Sequence, residues 1–386
     1  MLRSLFAVSL CGVVLALAAL PQQVSAPAKQ QVGPPKQEPP KQEQDKQEQD
    51  KQEPPLTFTG GVTEVIVPVT ATDEKGKFIS NLTANDFRVT DEGRPQRISF
   101  FSHTDKQPIV VGFLIDQSST MRIHWDKYQE AILELIWALL PGDALHTGYL
   151  ISYANDAELA VNTTEDSDKL AAAVRKMKPS GGSTLNDAIY RACMDRKLVK
   201  GEPYEPRRII IIVGDGHDNA SKHSADEVLE LAKRNQVTIY AISTASFGFD
   251  NPSRDALEKL SIETGGHVEY PLNNLYKDVS GYLSHPSDDG NYALTVGVGG
   301  YAGEISAGII KAVTGIAGEI ATQYVLRYKP DVDAELTPRQ FRRIRVEIPM
   351  LPNAKLSFKN GYFPFAVQQP QQKTGTGGPG SGPGGK

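Results

Sequence analysis

The chain has 386 residues, with 41 basic against 46 acidic side chains and a formal net charge of -5. Setting aside a 26-residue apolar start, a 29-residue Pro/Gln/Lys stretch and a 19-residue Gly/Pro tail leaves about 312 residues, which excludes a single small module and suits one ordinary domain with a smaller companion. No Lys/Arg block is long enough to track a phosphate backbone, so nucleic acid is not an expected partner, and of the two cysteines, Cys11 and Cys193, only the second lies beyond the apolar start.

Residues 1–26 combine Arg3, an apolar run from Leu5 to Leu20 and the small-residue site Val24-Ser25-Ala26, the layout of a secretion signal. The expectation is a secreted or cell-envelope protein, in the periplasm or on the outer surface, with membrane contact only if the signal stays uncleaved. Residues 27–55 repeat Lys-Gln-Glu with interspersed Pro and have little to bury, so they read as a disordered linker. The Gly/Pro-rich residues 368–386 read as a disordered tail for the same reason.

Residues 56–107 hold short alternating runs: Val65, Val67, Val69 and Ala71, then Phe87 and Val89, then Ile98 and Phe100. Turn signals at Asp73-Glu74-Lys75-Gly76 and Asp91-Glu92-Gly93-Arg94-Pro95 separate them, so the pattern predicts three strands joined by successive hairpins. So little sheet cannot bury a core alone. Similar runs return in residues 324–367, at Tyr324, Leu326 and Tyr328, at Ile344, Val346 and Ile348, and at Leu356 and Phe358. One β-sandwich built from both ends of the chain, with residues 108–323 inserted between its halves, accounts for both sets.

Within 108–323 the period changes. Near-continuous apolar runs (109–115, 148–153, 209–213 and 237–242) alternate with helical patterns at 125–140, 185–198 and 226–234. Strands apolar on both faces and interleaved with helices predict an α/β fold with a doubly wound, mostly parallel sheet. Trp125, Tyr128, Ile132, Leu135, Ile136 and Leu139 mark one helical stripe. Residues 271–301 read as a long inserted loop near the rim, and Glu304, Lys311 and Glu319 interrupt the following apolar segment at helical spacing, which predicts an amphipathic last helix on the sheet.

Open sheets of this kind bind ligands beyond the carboxyl ends of their strands. The first run leads into Asp116-Gln117-Ser118-Ser119-Thr120, the third into Gly214-Asp215-Gly216-His217-Asp218, and Gly181-Gly182-Ser183-Thr184 opens a helix between them. Carboxylates and hydroxyls on one rim are hard oxygen donors. They suit Mg²⁺ most naturally, with Mn²⁺ or Ca²⁺ as substitutes. With few charges facing it, such an ion would stay electrophilic and seek a carboxylate from outside.

This constellation resembles the metal-ion-dependent adhesion site of von Willebrand factor type A domains, written D-x-S-x-S with a distant Thr and Asp; here Thr120 stands in the third hydroxyl position. The resemblance spans roughly residues 108–323 and implies metal ligation by Asp116, Ser118, Thr120, Thr184 and Asp215, the carboxylates acting directly or through water. The flanking sandwich halves look like those of exported bacterial proteins that carry this domain. It implies a non-enzymatic adhesion protein whose partner is a protein supplying an Asp or Glu, with no small-molecule substrate.

Blander readings stand beside this one. Asp116, Ser118 or Thr120 would serve as a helix cap, Thr184 with Asp187 has capping-box spacing, and Asp215-Gly216 suits an ordinary turn. On that view the rim is structural and the chain is a scaffold. A Mg²⁺-dependent phosphatase of the haloacid-dehalogenase kind would need an acid two residues after Asp116, where Ser118 stands. No G-x-x-x-x-G-K-[ST], G-x-S-x-G or H-E-x-x-H pattern occurs; His217 and His223 read as surface loop residues, and Cys193 as packed and inert.

Overall fold

Period-2 burial starts the folded part. A computed structural model of the chain describes residues 57–61, 64–103, 108–122, 125–195, 198, 206–245, 252–272, 298–330 and 340–368. The expected signal and linker lie outside the described residues, as do nearly all of the tail and all of the inserted loop except its two ends. The amino-terminal segment forms β1 (Thr57–Gly61), β2 (Val65–Thr72), β3 (Arg88–Asp91), β4 (Arg94–Gln96) and β5 (Ile98–His103). Along β2, Val65, Val67, Val69 and Ala71 point into one core. Its opposite face is covered as well, because Thr70 donates to Glu319 at 2.9 Å.

The central segment contributes β6 (Ile109–Asp116), α1 (Trp125–Leu139), β7 (His146–Tyr153), β8 (Ala157–Thr164), α2 (Ser167–Val174) and α3 (Leu185–Met194). It continues with β9 (Arg207–Gly214), α4 (Ala225–Arg234), β10 (Val237–Ser243), α5 (Pro252–Thr264), β11 (Val268–Glu269) and α6 (Val298–Thr322). The strands lie in the order β11-β10-β9-β6-β7-β8. All neighbours are parallel except β8, which turns back on β7 through Ala154-Asn155-Asp156 and lies antiparallel at the edge. Strand β8, α2, α5 and the two-residue β11 are additions to the elements read from sequence: β8 is an edge strand only half-buried along its length, and α2 has eight residues.

Helices cover both faces, as the two-sided apolar strands require. The stripe on α1 is buried at Tyr128, Ile132, Leu135, Ile136 and Leu139, each such side chain worth about 1.5–3 kcal/mol of burial. It packs with α6 against Val111, Phe113, Ile115, Ile209, Ile211 and Val213. The other face of the same strands meets α3, α4 and α5. Helix α6 has the length and composition of a membrane span over Ile305–Thr322. Its Ile305, Ile309, Ala312, Val313, Ile316 and Ile320 lie in the core, as expected of an amphipathic last helix on the sheet. Cys193 is buried on α3, and burial pushes its thiol up to about 12, which leaves it inert.

The carboxyl-terminal strands are β12 (Tyr324–Tyr328), β13 (Arg342–Glu347), β14 (Lys355–Phe358), β15 (Gly361–Tyr362) and β16 (Phe365–Gln368). They interleave with the amino-terminal strands in sheets ordered β14-β2-β12-β5 and β15-β13-β3-β4, while β1 pairs with β16. The two four-stranded sheets share one core that includes Val67, Phe87, Val89, Leu326 and Val346. The sandwich made from both ends of the chain is therefore present, but the expected run of successive hairpins is not. Strands β2 and β3 belong to different sheets, and β5 pairs with β12 from the far end of the chain. Among the described sandwich strands, β3 and β4 are the consecutive pair that forms a hairpin, turned at Glu92 and Gly93 with φ of 50° and 76°. At the first expected turn the chain does reverse, but only as a single bridge between Thr72 and Phe78. Turn residues announce a reversal of direction, whereas the sheet a strand joins depends on which long-range partner covers its apolar face.

Candidate metal centre at the sheet rim

Strand order reverses between β6 and β9, because β6 connects through α1 to β7 on one side while β9 and β10 extend the sheet on the other. That reversal opens a crevice at the carboxyl ends of both strands. Ile115 pairs with Val213, so Asp116 and the Gly214-Asp215 pair leave adjacent strands at the same level. The approach is close: a Cβ on Gly214 would lie 2.8 Å from Asp116 Cβ and 2.5 Å from the Tyr153 hydroxyl. Only glycine lets β9 end against this carboxylate.

Asp116 is fully buried, with its Oδ1 accepting from the Ser118 amide at 2.6 Å. Its Oδ2 has no hydrogen-bond partner. The Ser118 and Thr120 hydroxyls meet at 2.8 Å. The Ser119 amide and hydroxyl both donate to the Gly181 carbonyl, at 3.1 and 3.0 Å, tying this loop to the one that opens α3. Gly181 holds φ of +88° there, and the Gly182 amide donates to Asn155 Oδ1 at 2.8 Å. The third loop is joined through Ser183, whose hydroxyl donates to the His217 carbonyl at 2.7 Å and whose amide donates to Asn219 Oδ1 at 3.0 Å.

Thr184 occupies the N-cap position of α3 but makes no side-chain capping bond. Its hydroxyl is buried and unpartnered. The capping-box reading is thus not realised: the Asp187 amide donates to Ser221 Oγ, and the Asp187 carboxylate accepts from Lys222, His223 and the His223 ring. The turn reading of Asp215 is realised in part, since its Oδ1 accepts from the His217 amide at 2.8 Å and Gly216 takes φ of +79°. His223 departs from the surface-loop expectation. It is bonded to Asp187 at 2.7 Å and stacked on Tyr190 with ring centroids 3.7 Å apart.

The electrostatics match this unfinished donor set. Burial pushes the Asp116 carboxyl up to about 7; hydrogen bonds from Ser118 oppose the rise and the charge of Asp215 adds to it. A buried carboxylate oxygen and a buried hydroxyl without partners are each costly in a fold that pairs nearly all such atoms. Both belong to the expected ligand set, together with the Ser118 and Thr120 hydroxyls, so the residues present fit a hard divalent cation. Among the described residues no group of three or more His, Cys, Asp or Glu is placed to hold a metal ion.

Tyr153 was not indicated by the sequence. It pairs with Asp116 across β6 and β7, and its buried hydroxyl is also without a partner. Asn155 and Asn219, which fasten the loops, were likewise missed; Asn at a strand end or in a turn is too common to signal such a role.

Fold and rim together define a doubly wound α/β domain with an oxygen-lined site at its switch point. Residues 111–277 match the von Willebrand factor type A domain family, and the chain carries such a domain. A search of the curated proteins finds no match. Among solved structures, the chain is similar to BatB from Bacteroides thetaiotaomicron at 14% identity and a TM-score of 0.34, covering 50% of this chain and 99% of that one. Proximal thread matrix protein 1 from the mussel byssus, solved with a zinc-occupied MIDAS motif, matches at 16% identity and a TM-score of 0.37, covering 44% of this chain and 42% of its own. The vWF domain of the type V pili tip protein Mfa5 from Porphyromonas gingivalis matches at 23% identity and a TM-score of 0.25, covering 28% and 38%.

Proposed function

We propose that the chain is an exported, non-enzymatic binding protein that holds a divalent cation, Mg²⁺ or Mn²⁺, on Asp116, Ser118, Thr120, Thr184 and Asp215 and docks an Asp or Glu carboxylate of a partner protein there. The observation that carries this reading is the pair of buried, unpartnered oxygens, Asp116 Oδ2 and Thr184 Oγ1, in the residues expected to ligate. When bound, the cation would supply a Lewis-acidic site for a carboxylate from outside. The chain's own residues do the rest. Gly214 lets Asp116 reach the rim, the Ser118 amide orients its carboxylate, and the Ser119–Gly181 and Ser183–Asn219 links hold the three loops in register.

With two carboxylates at hand, the site would bind metal weakly enough to retain waters that a partner's acid can displace. The sandwich would support the domain from below, and residues 27–55 would act as the spacer that carries the rim away from its point of attachment. In the position where a phosphatase would need a second acid stands Ser118, whose hydroxyl is engaged with Thr120. Calorimetric titration with Mn²⁺ tests the reading: wild type is expected to give saturable heat and Asp116→Ala none while keeping its circular dichroism spectrum. Equal heats in the two proteins would overturn it.

A further inference from the structure

At the opposite end of the parallel sheet from the rim, β9 and β10 begin against the sandwich. A crevice there is lined by Pro68 of β2, by Arg207 and Arg208 at the start of β9, by Gln236 ahead of β10, and by Lys359 beyond β14. Three of these side chains are cations, and no carboxylate lines the space. Lys359 is almost fully buried, and its ammonium donates to Gln236 Oε1 at 2.9 Å. The other end of that amide, Gln236 Nε2, is buried and without an acceptor. Arg207 is also buried. It donates from one terminal nitrogen to Gln323 Oε1 at 2.7 Å and from the other to the Ile320 carbonyl at 3.2 Å, while its Nε has no acceptor.

The crevice is thus rich in unspent donors. Lys359 has further ammonium protons, and Gln236 Nε2 and Arg207 Nε each offer protons to nothing on the protein. The nearby Glu319 is already engaged by Thr70, Tyr240 and His267, and so does not balance this charge. Burial without a counter-charge pushes the Lys359 ammonium down to about 7. The space between these side chains, about 20 Å³, has room for a water-sized occupant. The lining brings cations and no carboxylate, so a monatomic anion would supply the counter-charge that a water molecule cannot.

We propose that Arg207, Gln236 and Lys359 form a site for a small inorganic anion of chloride's size, which fastens the α/β domain to the sandwich at their seam. The anion would bridge residues of the inserted domain and of the carboxyl-terminal sandwich segment, and so would stabilise the folded state by linkage. The test is the thermal midpoint of the full chain in sodium chloride against sodium gluconate at equal ionic strength, with EDTA present so that the rim plays no part. Wild type is expected to melt higher in chloride, with a midpoint that rises with the logarithm of concentration. Sodium sulfate, which stabilises folded proteins generally by exclusion from their surface, is expected to raise the midpoint equally in wild type and in Lys359→Met.

Lys359→Met and, as a second variant should the first not fold, Gln236→Leu are expected to lose the difference between chloride and gluconate while keeping their circular dichroism spectra. The same difference in wild type and variants, or none in wild type, would overturn the site. A sulfate rise that shrinks in Lys359→Met as much as the chloride rise does would overturn its assignment to a monatomic anion.

Discussion

Two aspartates, Asp91 in the sandwich and Asp116 at the rim, are both fully buried, and both end a strand. Asp91 is finished. Its Oδ1 accepts from Arg342 at 2.8 Å, and its Oδ2 accepts from the hydroxyls of Tyr328 and Tyr362 at 3.0 and 2.9 Å. These partners come from three carboxyl-terminal strands, so one acid stitches the two ends of the chain together. Asp116 accepts from Ser118 alone and leaves its Oδ2 bare. Equal burial with unequal satisfaction sets the two acids apart, and on the proposed function the unsatisfied one is the ligand.

The sharpest way to break this contrast is to remove each acid in turn. Asp91→Ala would strand the Arg342 guanidinium and two phenols in a sealed core, at a cost of about 3–5 kcal/mol. Asp116→Ala in chelator loses one amide hydrogen bond, at a cost of about 1 kcal/mol. Urea unfolding of both variants checks the ratio; comparable losses would mean that Asp116 is structural too.

A smaller effect is expected at Thr184, where Thr184→Val replaces an unpartnered hydroxyl with a methyl of the same shape. In chelator its stability should match or exceed that of wild type by less than about 1 kcal/mol. The rise in melting temperature on adding Mn²⁺ should shrink. An unchanged Mn²⁺ response would remove Thr184 from the ligand set.

The mildest prediction concerns pH. His267 bonds Glu269 and Glu319 at 3.1 Å each, and although burial lowers its affinity for a proton, the two carboxylates prevail and push it up to about 9. Because the folded value lies above the ordinary one of 6.5, this stabilisation is complete below about 6.5 and is lost as pH climbs through about 9. Lys359 has the opposite slope, since its lowered value makes the fold gain stability as pH rises from about 7 toward 10.5. The difference in melting temperature between wild type and His267→Gln isolates the histidine. It should narrow between pH 7 and 9, and a constant difference would count against the assignment.

Much of the α/β domain was legible because its signals are local. The near-continuous apolar runs 109–115 and 209–213, alternating with helical patterns, read as strands covered on both sides, and the α1 stripe needs no partner to be recognised. The candidate ligands were legible for a related reason: they follow directly on those strands, so chain direction alone puts them on one rim. Which strands share a sheet was not legible, since β2, β5 and β12 are adjacent only after more than two hundred residues have been looped out. Nor was the difference between Asp91 and Asp116, two acids each standing at the carboxyl end of a strand.

The amino-acid order by itself determined the layered α/β architecture, the two-ended sandwich and the place of the oxygen-bearing loops, because hydrophobic period and turn chemistry act over a few residues. Tertiary structure alone decided that Thr184 does not cap its helix, that Gly214 makes room for Asp116, and that Arg207, Gln236 and Lys359 face one crevice. Satisfaction of a buried polar atom depends on what distant segments bring to it, and that information exists only once the chain has closed on itself.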